Sequence, residues 1–243
     1  MPNLSKQAVF FDLDGTLRHN DPSQIDTFFS YARDLGVMIT PKQAHETTRW
    51  IYSYWADSEE LRRDRQQHSE EWEAFWRAFA VRQLTFLGAT PEEAGRLAEA
   101  IQRRMIDEYK PSHCVPKEVP SLLEDLRQAG CRLGVVSNRR NPIGEVVSEL
   151  GLAEQFDMTL AAGEVGWWKP DHRLLIYAAE RLGVPAADAM YVGDNFYADV
   201  PAAEGAGMQA VLLDPAALFP EANCRVIQSL GELTTLLAPP SKF

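Results

Sequence analysis

The stretch Ala8-Val9-Phe10-Phe11-Asp12-Leu13-Asp14-Gly15-Thr16-Leu17 decides how the rest of the chain is read. Its apolar run, Ala8 to Phe11, closed by an Asp-Gly turn signal, predicts a short buried strand. Asp12 and Asp14 share side-chain parity, so two carboxylates converge where that strand ends. Like charges so close cost free energy unless a cation or a proton relieves them. Gly15 permits a tight exit from the strand and a close approach by a ligand. Open α/β sheets bind ligands at the carboxyl ends of their strands, which is where these acids fall. Taken alone, the motif also reads as a solvated acidic turn.

Outward from this stretch the pattern changes twice. Residues 22–36, 41–56, 59–87 and 91–109 carry helical signals and almost no strand signal. Thr40-Pro41 and Thr90-Pro91 each supply an N-cap followed by proline at the first helical position. Gly36 and Gly88 suit helix C-termini. After Val115, helices at 119–129, 142–151, 171–182, 199–206 and 231–237 alternate with strands at 131–137, 158–161, 189–192, 209–213 and 225–227. Such alternation predicts a parallel sheet covered on both faces. The strand at 7–11 belongs with this second region. The expected fold class is therefore α/β: a Rossmann-like parallel-sheet core, residues 1–17 and 116–243, interrupted after its first strand by a helical insertion, residues 18–115. The tail 238–243 is expected to fray.

The 243 residues are ample for a core that needs no disulfide or metal staple. Lys and Arg number 24 against 35 Asp and Glu, a formal charge of −11. An acidic chain repels phosphate backbones, so no nucleic-acid partner is expected. Cys114, Cys131 and Cys224 form no CxxC pair, which argues against a disulfide framework or a zinc site. No apolar run approaches the ~20 residues of a membrane helix, and the N-terminal residues lack a signal-peptide pattern. The expectation is a soluble cytoplasmic protein with no membrane partner; its oligomeric state is unreadable.

Three further clusters sit at or beside strand ends. Ser137-Asn138 offers a hydroxyl and backbone amides for a phosphoryl oxygen, although Ser-Asn is also ordinary turn chemistry. Lys169-Pro170-Asp171 opens a helix that Asp171 can cap, leaving Lys169 in the preceding loop as a point charge for an anion or as a solvated surface lysine. Gly193-Asp194-Asn195 leads to Asp199 at a helix start, where a carboxylate suits the helix dipole. Asp194 and Asp199 can complete an oxygen-ligand magnesium site with the first cluster, capping being the other reading of Asp199.

Together, in this order, these residues resemble the haloacid dehalogenase superfamily in its phosphatase-like branch. FFDLDGTL resembles its first motif, VVSN the second, Lys169-Pro170 the third and VGDNFYAD the fourth. The resemblance covers residues 7–17 and about 116–237, and it places a C1-type cap where the helical insertion lies. It implies Asp12 as nucleophile toward phosphorus and Asp14 as the acid, then base. The Asp12 carboxylate, the Asp14 carbonyl and the Asp194 carboxylate would bind Mg²⁺. Ser137 and Lys169 would hold the phosphoryl group, Thr16 would support the loop, Asn138 the phosphate pocket, and Asp199 would stand behind the metal ligands. Asp14 must start protonated, so its pKa is expected to be raised. Many relatives follow the first motif with an acid and serine, whereas here Arg18-His19-Asn20 follows. Arg18 and Arg139, adjacent to the first and second motifs, are candidate substrate contacts.

The function this implies is Mg²⁺-dependent hydrolysis of a small phosphorylated metabolite. A sugar phosphomutase on the same scaffold and a silent phosphate-binding module are the alternatives. The insertion's stripe Trp72, Phe75, Trp76 and Phe79 reads as bundle core or as an aromatic platform for a substrate.

Overall fold

All four side chains of strand β1 (Ala8–Phe11) are fully buried, which suits the centre of a sheet covered on both faces. The computed structural model describes residues 7–234. After β1 come β2 (His19–Asp21), helices α1 (Gln24–Asp34), α2 (Pro41–Trp55), α3 (Glu59–Gln67), α4 (Trp72–Phe86) and α5 (Pro91–Asp107), and β3 (Ser112–Cys114), which pairs with β2. The chain then runs through α6 (Val119–Gln128), β4 (Arg132–Ser137), α7 (Gly144–Glu149), β5 (Met158–Ala161), α8 (Ala162–Val165), α9 (Arg173–Leu182), β6 (Ala189–Gly193), α10 (Asp199–Gly205), β7 (Gln209–Leu213) and β8 (Arg225–Ile227).

Six of these strands form one parallel sheet in the order β5-β4-β1-β6-β7-β8. The chain builds outward from β1 on one side and then on the other, so the strand order reverses at β1. Ligand crevices of open α/β sheets form at such a reversal. Val9 and Phe11 pack with Leu122, Leu123 and Leu126 of α6, and Leu13 and Leu17 join the same cluster just beyond the strand. Those two leucines anchor the loop that carries Asp12 and Asp14.

The chain divides into two compact units, Met1–His19 with His113–Phe243 and Asn20–Ser112. In the helical unit, Thr40 with Gln43 and Thr90 with Glu93 form capping boxes ahead of Pro41 and Pro91, each satisfying otherwise unpaired N–H groups. The segment 59–87, expected as one helix, is two. The break at residues 68–71 turns α4 back along α3, so that Arg82 grips Asp64. Half of the aromatic stripe is bundle core: Phe75 and Phe79 are buried with Tyr54, whereas Trp50, Trp55 and Trp76 pack against them only partly buried and Trp72 is 71% exposed. The helix expected over 231–237 begins as a 3₁₀ turn at Leu230–Glu232; residues 235–243, with its remainder and the tail expected to fray, lie outside the described residues. Among the described residues no helix is long and apolar enough to cross a membrane.

Asp64 is buried and accepts from Tyr54 Oη at 2.9 Å and from Arg82 Nε and Nη2 at 2.7 Å each. Burial works to raise its pKa, but the bonds from Arg82 and Tyr54 outweigh it and hold the carboxyl below its ordinary value. Asp64→Ala strands a partly buried guanidinium and a buried hydroxyl, and should cost about 2–3 kcal/mol in urea unfolding, discounted because Arg82 is 29% exposed. A depressed native pKa gives stability that is present above the ordinary carboxylate value and lost as pH falls. The gap between wild type and variant should therefore narrow below about pH 4.

Candidate active site

Parallel pairing brings the ends of β1, β4 and β6 to one edge, and with them Asp12, Ser137 and Asp194. The Asp12 amide continues the ladder by donating to Val192 O at 2.8 Å. The chain then folds tightly: Arg18 N donates to Leu13 O and Gly15 N to Arg18 O, both at 2.8 Å. Gly15 has φ +89°, and a Cβ there would lie 2.0 Å from Asp194 Oδ2. Only glycine lets this loop lie against the second carboxylate.

Lys169 is the buried hub. Its Nζ donates to Asp12 Oδ1 at 2.6 Å, Tyr191 Oη at 2.6 Å and Asp199 Oδ1 at 2.7 Å. Tyr191 in turn donates to Val136 O at 2.8 Å, and Asp199 Oδ2 accepts from Asn195 N at 2.8 Å. Burial disfavours the ammonium, but Asp12 and then Asp199 overcome it and hold the Lys169 pKa well above its ordinary value. For Asp12 the balance goes the other way. Burial, aided by the Asp199 charge and opposed by Lys169, pushes its carboxyl up to about 7. One ammonium does not neutralise two buried carboxylates, so the cluster favours a further proton or cation.

Asp14 corrects an expectation. Its pKa is lowered, not raised. Burial alone would raise it, but Arg139 and then Arg18 prevail. Arg139 Nε and Nη2 donate to its two oxygens at 2.7 and 2.8 Å, and Arg18 Nη1 donates to Oδ1 at 2.6 Å. Arg18 and Arg139 thus meet at the site, on Asp14 itself.

Asn138, expected to support the phosphate pocket, is held against the peptide of Lys169. Its amide accepts from Lys169 N and donates to Lys169 O, each at 2.7 Å, and so fixes the peptide that carries the lysine. Asp171 lies one residue before the N-cap position of α9, His172, yet its Oδ1 accepts from the Arg173 amide at 3.0 Å, and its carboxylate also pairs with the Arg173 guanidinium. Ser137 ends β4, buried, with no hydrogen bond on its hydroxyl among the described residues. Thr16 is fully buried, its Oγ1 3.5 Å from Asp194 Oδ1. Tyr191 was not singled out from the sequence. Its place in the apolar run of β6 reads as core, and only the length of its side chain hints that the hydroxyl reaches Lys169 and Val136.

Asp12, Asp194 and Asp199 offer oxygen atoms within 4.8 Å of one another. Asp199 commits its two oxygens to Lys169 and Asn195, whereas Asp12 Oδ2 accepts no hydrogen bond among the described residues. A side-chain set made only of carboxylates, held close with negative charge in excess, fits a hard divalent cation.

The family model for haloacid dehalogenase-like hydrolases matches residues 6–207. The glyceraldehyde 3-phosphate phosphatase of Methanothermobacter thermautotrophicus is 30% identical over 86% of this chain and 85% of its own length. The phosphoserine phosphatase of Thermus thermophilus is 37% identical, but the match spans only 52% of this chain and 49% of that protein. Among solved structures, the 2-haloacid dehalogenase of Pseudomonas syringae superposes with a TM-score of 0.55 at 26% identity, covering 96% of this chain and 98% of that one. Fold and sequence agree on a hydrolase built on a Rossmann-like parallel sheet. The chain belongs to the haloacid dehalogenase-like hydrolases.

Because burial pushes the Asp12 carboxyl up to about 7, a divalent cation held by Asp12 would displace its proton. Calorimetric Mg²⁺ titrations at about pH 6, in two buffers of different ionisation enthalpy, should show about one proton released per ion. The release should fade towards about pH 8, where Asp12 is already ionised. Asp12→Asn should abolish the release.

Proposed function

We propose that this chain is a Mg²⁺-dependent phosphatase that hydrolyses a small phosphorylated metabolite through an aspartyl-phosphate on Asp12. The observation that carries this reading is a second carboxylate, Asp14, two residues beyond the first at the same sheet edge. A departing halide needs no proton, whereas a departing alkoxide does, so a paired acid suits phosphate-ester cleavage rather than dehalogenation. The phosphatase names of the relatives support the same reading.

Asp12, the Asp14 carbonyl and Asp194 would hold Mg²⁺, which when bound supplies charge neutralisation to the phosphoryl oxygens. Lys169 aims Asp12 and, together with the bound cation, favours its ionised form against burial, and it adds its own positive charge beside those oxygens. The Ser137 hydroxyl donates to one of them, and Thr16 steadies Asp194. An Asp12 oxygen attacks phosphorus, the ester P–O bond breaks, and Asp14, once it has left Arg139 and Arg18 and taken up a proton from solvent, gives that proton to the leaving oxygen. A water then attacks the aspartyl-phosphate, Asp14 recovers a proton from it, and inorganic phosphate leaves with Asp12 restored. Two easier displacements replace one that is extremely slow without catalysis. The helical insertion, residues 18–115, serves as the cap that selects the substrate.

Stoichiometric phosphate release from a panel of phosphorylated metabolites tests this reading. Activity should vanish with EDTA and return with Mg²⁺. Asp12→Asn should have no measurable turnover, and Asp14→Asn should lower kcat by roughly 10²–10⁴-fold. Equal turnover without a divalent cation, or full activity of Asp12→Asn, would refute the mechanism.

A further inference from the structure

Both oxygens of Asp14 are occupied by guanidinium groups. Arg139 holds the carboxylate in a two-pronged fork at 2.7 and 2.8 Å, and Arg18 adds a third bond at 2.6 Å. Arg18 is itself tethered, its Nη2 lying 2.7 Å from Nδ1 of His113. A carboxylate held this way is withdrawn from any leaving oxygen. Two guanidinium groups around one carboxylate also leave one positive charge in excess, in a place that solvent reaches: the Asp14 side chain is 39% exposed and that of Arg139 31%.

Planar guanidinium groups match carboxylates and phosphates in the same bidentate geometry. The fork is therefore a formed oxyanion site whose present ligand belongs to the protein. We propose that Arg18 and Arg139 are a subsite for a second anionic group on the substrate, a carboxylate or another phosphate, and that Asp14 fills this subsite until such a substrate arrives. The inference rests on the phosphatase reading above. When the substrate's second anion enters, one oxyanion replaces another, so the charge-assisted bonds are exchanged rather than lost. Asp14 is then released towards the leaving oxygen. A phosphate ester with a neutral body brings nothing to exchange and leaves Asp14 in the fork. The favoured substrate class is thus a small phosphate ester with a further oxyanion a few bonds from the phosphate.

Non-hydrolysable probes test this without relying on turnover. With Mg²⁺ present, phosphonoacetate and methylenediphosphonate should each bind wild-type protein about tenfold or more tightly than methylphosphonate, as expected for one charge-assisted pair. The two probes separate a carboxylate from a phosphate as the second anion. Arg139→Ala and Arg18→Ala should erase the preference, and Arg139→Lys, which keeps charge but loses the fork, should restore only part of it. Arg139→Gln serves if the alanine variant does not fold. In turnover, the kcat/KM ratio of 3-phosphoglycerate to p-nitrophenyl phosphate should fall about tenfold in the same variants. Equal binding of the three probes by wild type, or an unchanged preference in the variants, overturns the subsite. Phosphate release without any preference would discard the subsite and keep the phosphatase. Preference for the two probes that carry a second anionic group, with no phosphate release from any ester, would do the reverse.

Discussion

The Lys169 ammonium, buried among Asp12, Asp199 and Tyr191, is the interaction on which the rest of the site depends. A buried cation is tolerated only where its partners are fixed, and each partner arrives from a different element. Asp12 comes from the end of β1, Asp199 from the start of α10, Tyr191 from β6, and Asn138 clamps the lysine's own peptide from beyond β4. The hub therefore ties the strand ends into one rigid edge. It also fixes the carboxylate that we propose as nucleophile in a single orientation, which is the pre-organisation that transition-state stabilisation requires.

Charge is divided across the site. The inner cluster sets Asp12, Asp194 and Asp199 against a single lysine and is acidic. The outer cluster sets Arg18 and Arg139 against Asp14 and is basic. A cation is favoured inside and an anion outside, although the chain as a whole carries −11. Net charge describes long-range steering, whereas these groups lie within hydrogen-bond reach, where local sign decides. An acidic chain and an anionic substrate are thus compatible.

Much of the fold was legible because short-range signals agreed with the tertiary outcome. Thr-Pro starts, the apolar run before Asp12 and the alternation after Val115 each reported a local preference that packing kept. The break between α3 and α4 was illegible, since residues 68–71 carry neither glycine nor proline and the turn is favoured by distant partners such as Asp64 and Arg82. In the site, residue types at strand ends were readable but their pairings were not. Arg139 meets Asp14 across 125 positions of sequence, and no local pattern encodes that bond. The expected rise in the Asp14 pKa followed from the acid's role, and it is reversed by two guanidinium groups that only the fold brings close. Tyr191 was hidden because a buried tyrosine in a strand looks like any other apolar residue until its hydroxyl finds a partner.

The helical insertion separates β1 from both of its sheet neighbours. Ala8 pairs with Arg132 and with Ala189, so a central strand of the sheet is the first to be made and waits longest for a partner. During synthesis from the N-terminus the run AVFF must remain unpaired while more than a hundred further residues emerge. The helices between them make mostly local contacts and can form early, whereas the sheet waits on long-range closure. A newly made chain therefore exposes its most apolar strand longest. The acidic pair that follows that strand is then a solubilising flank for an unpaired β segment, before it is ever part of a site.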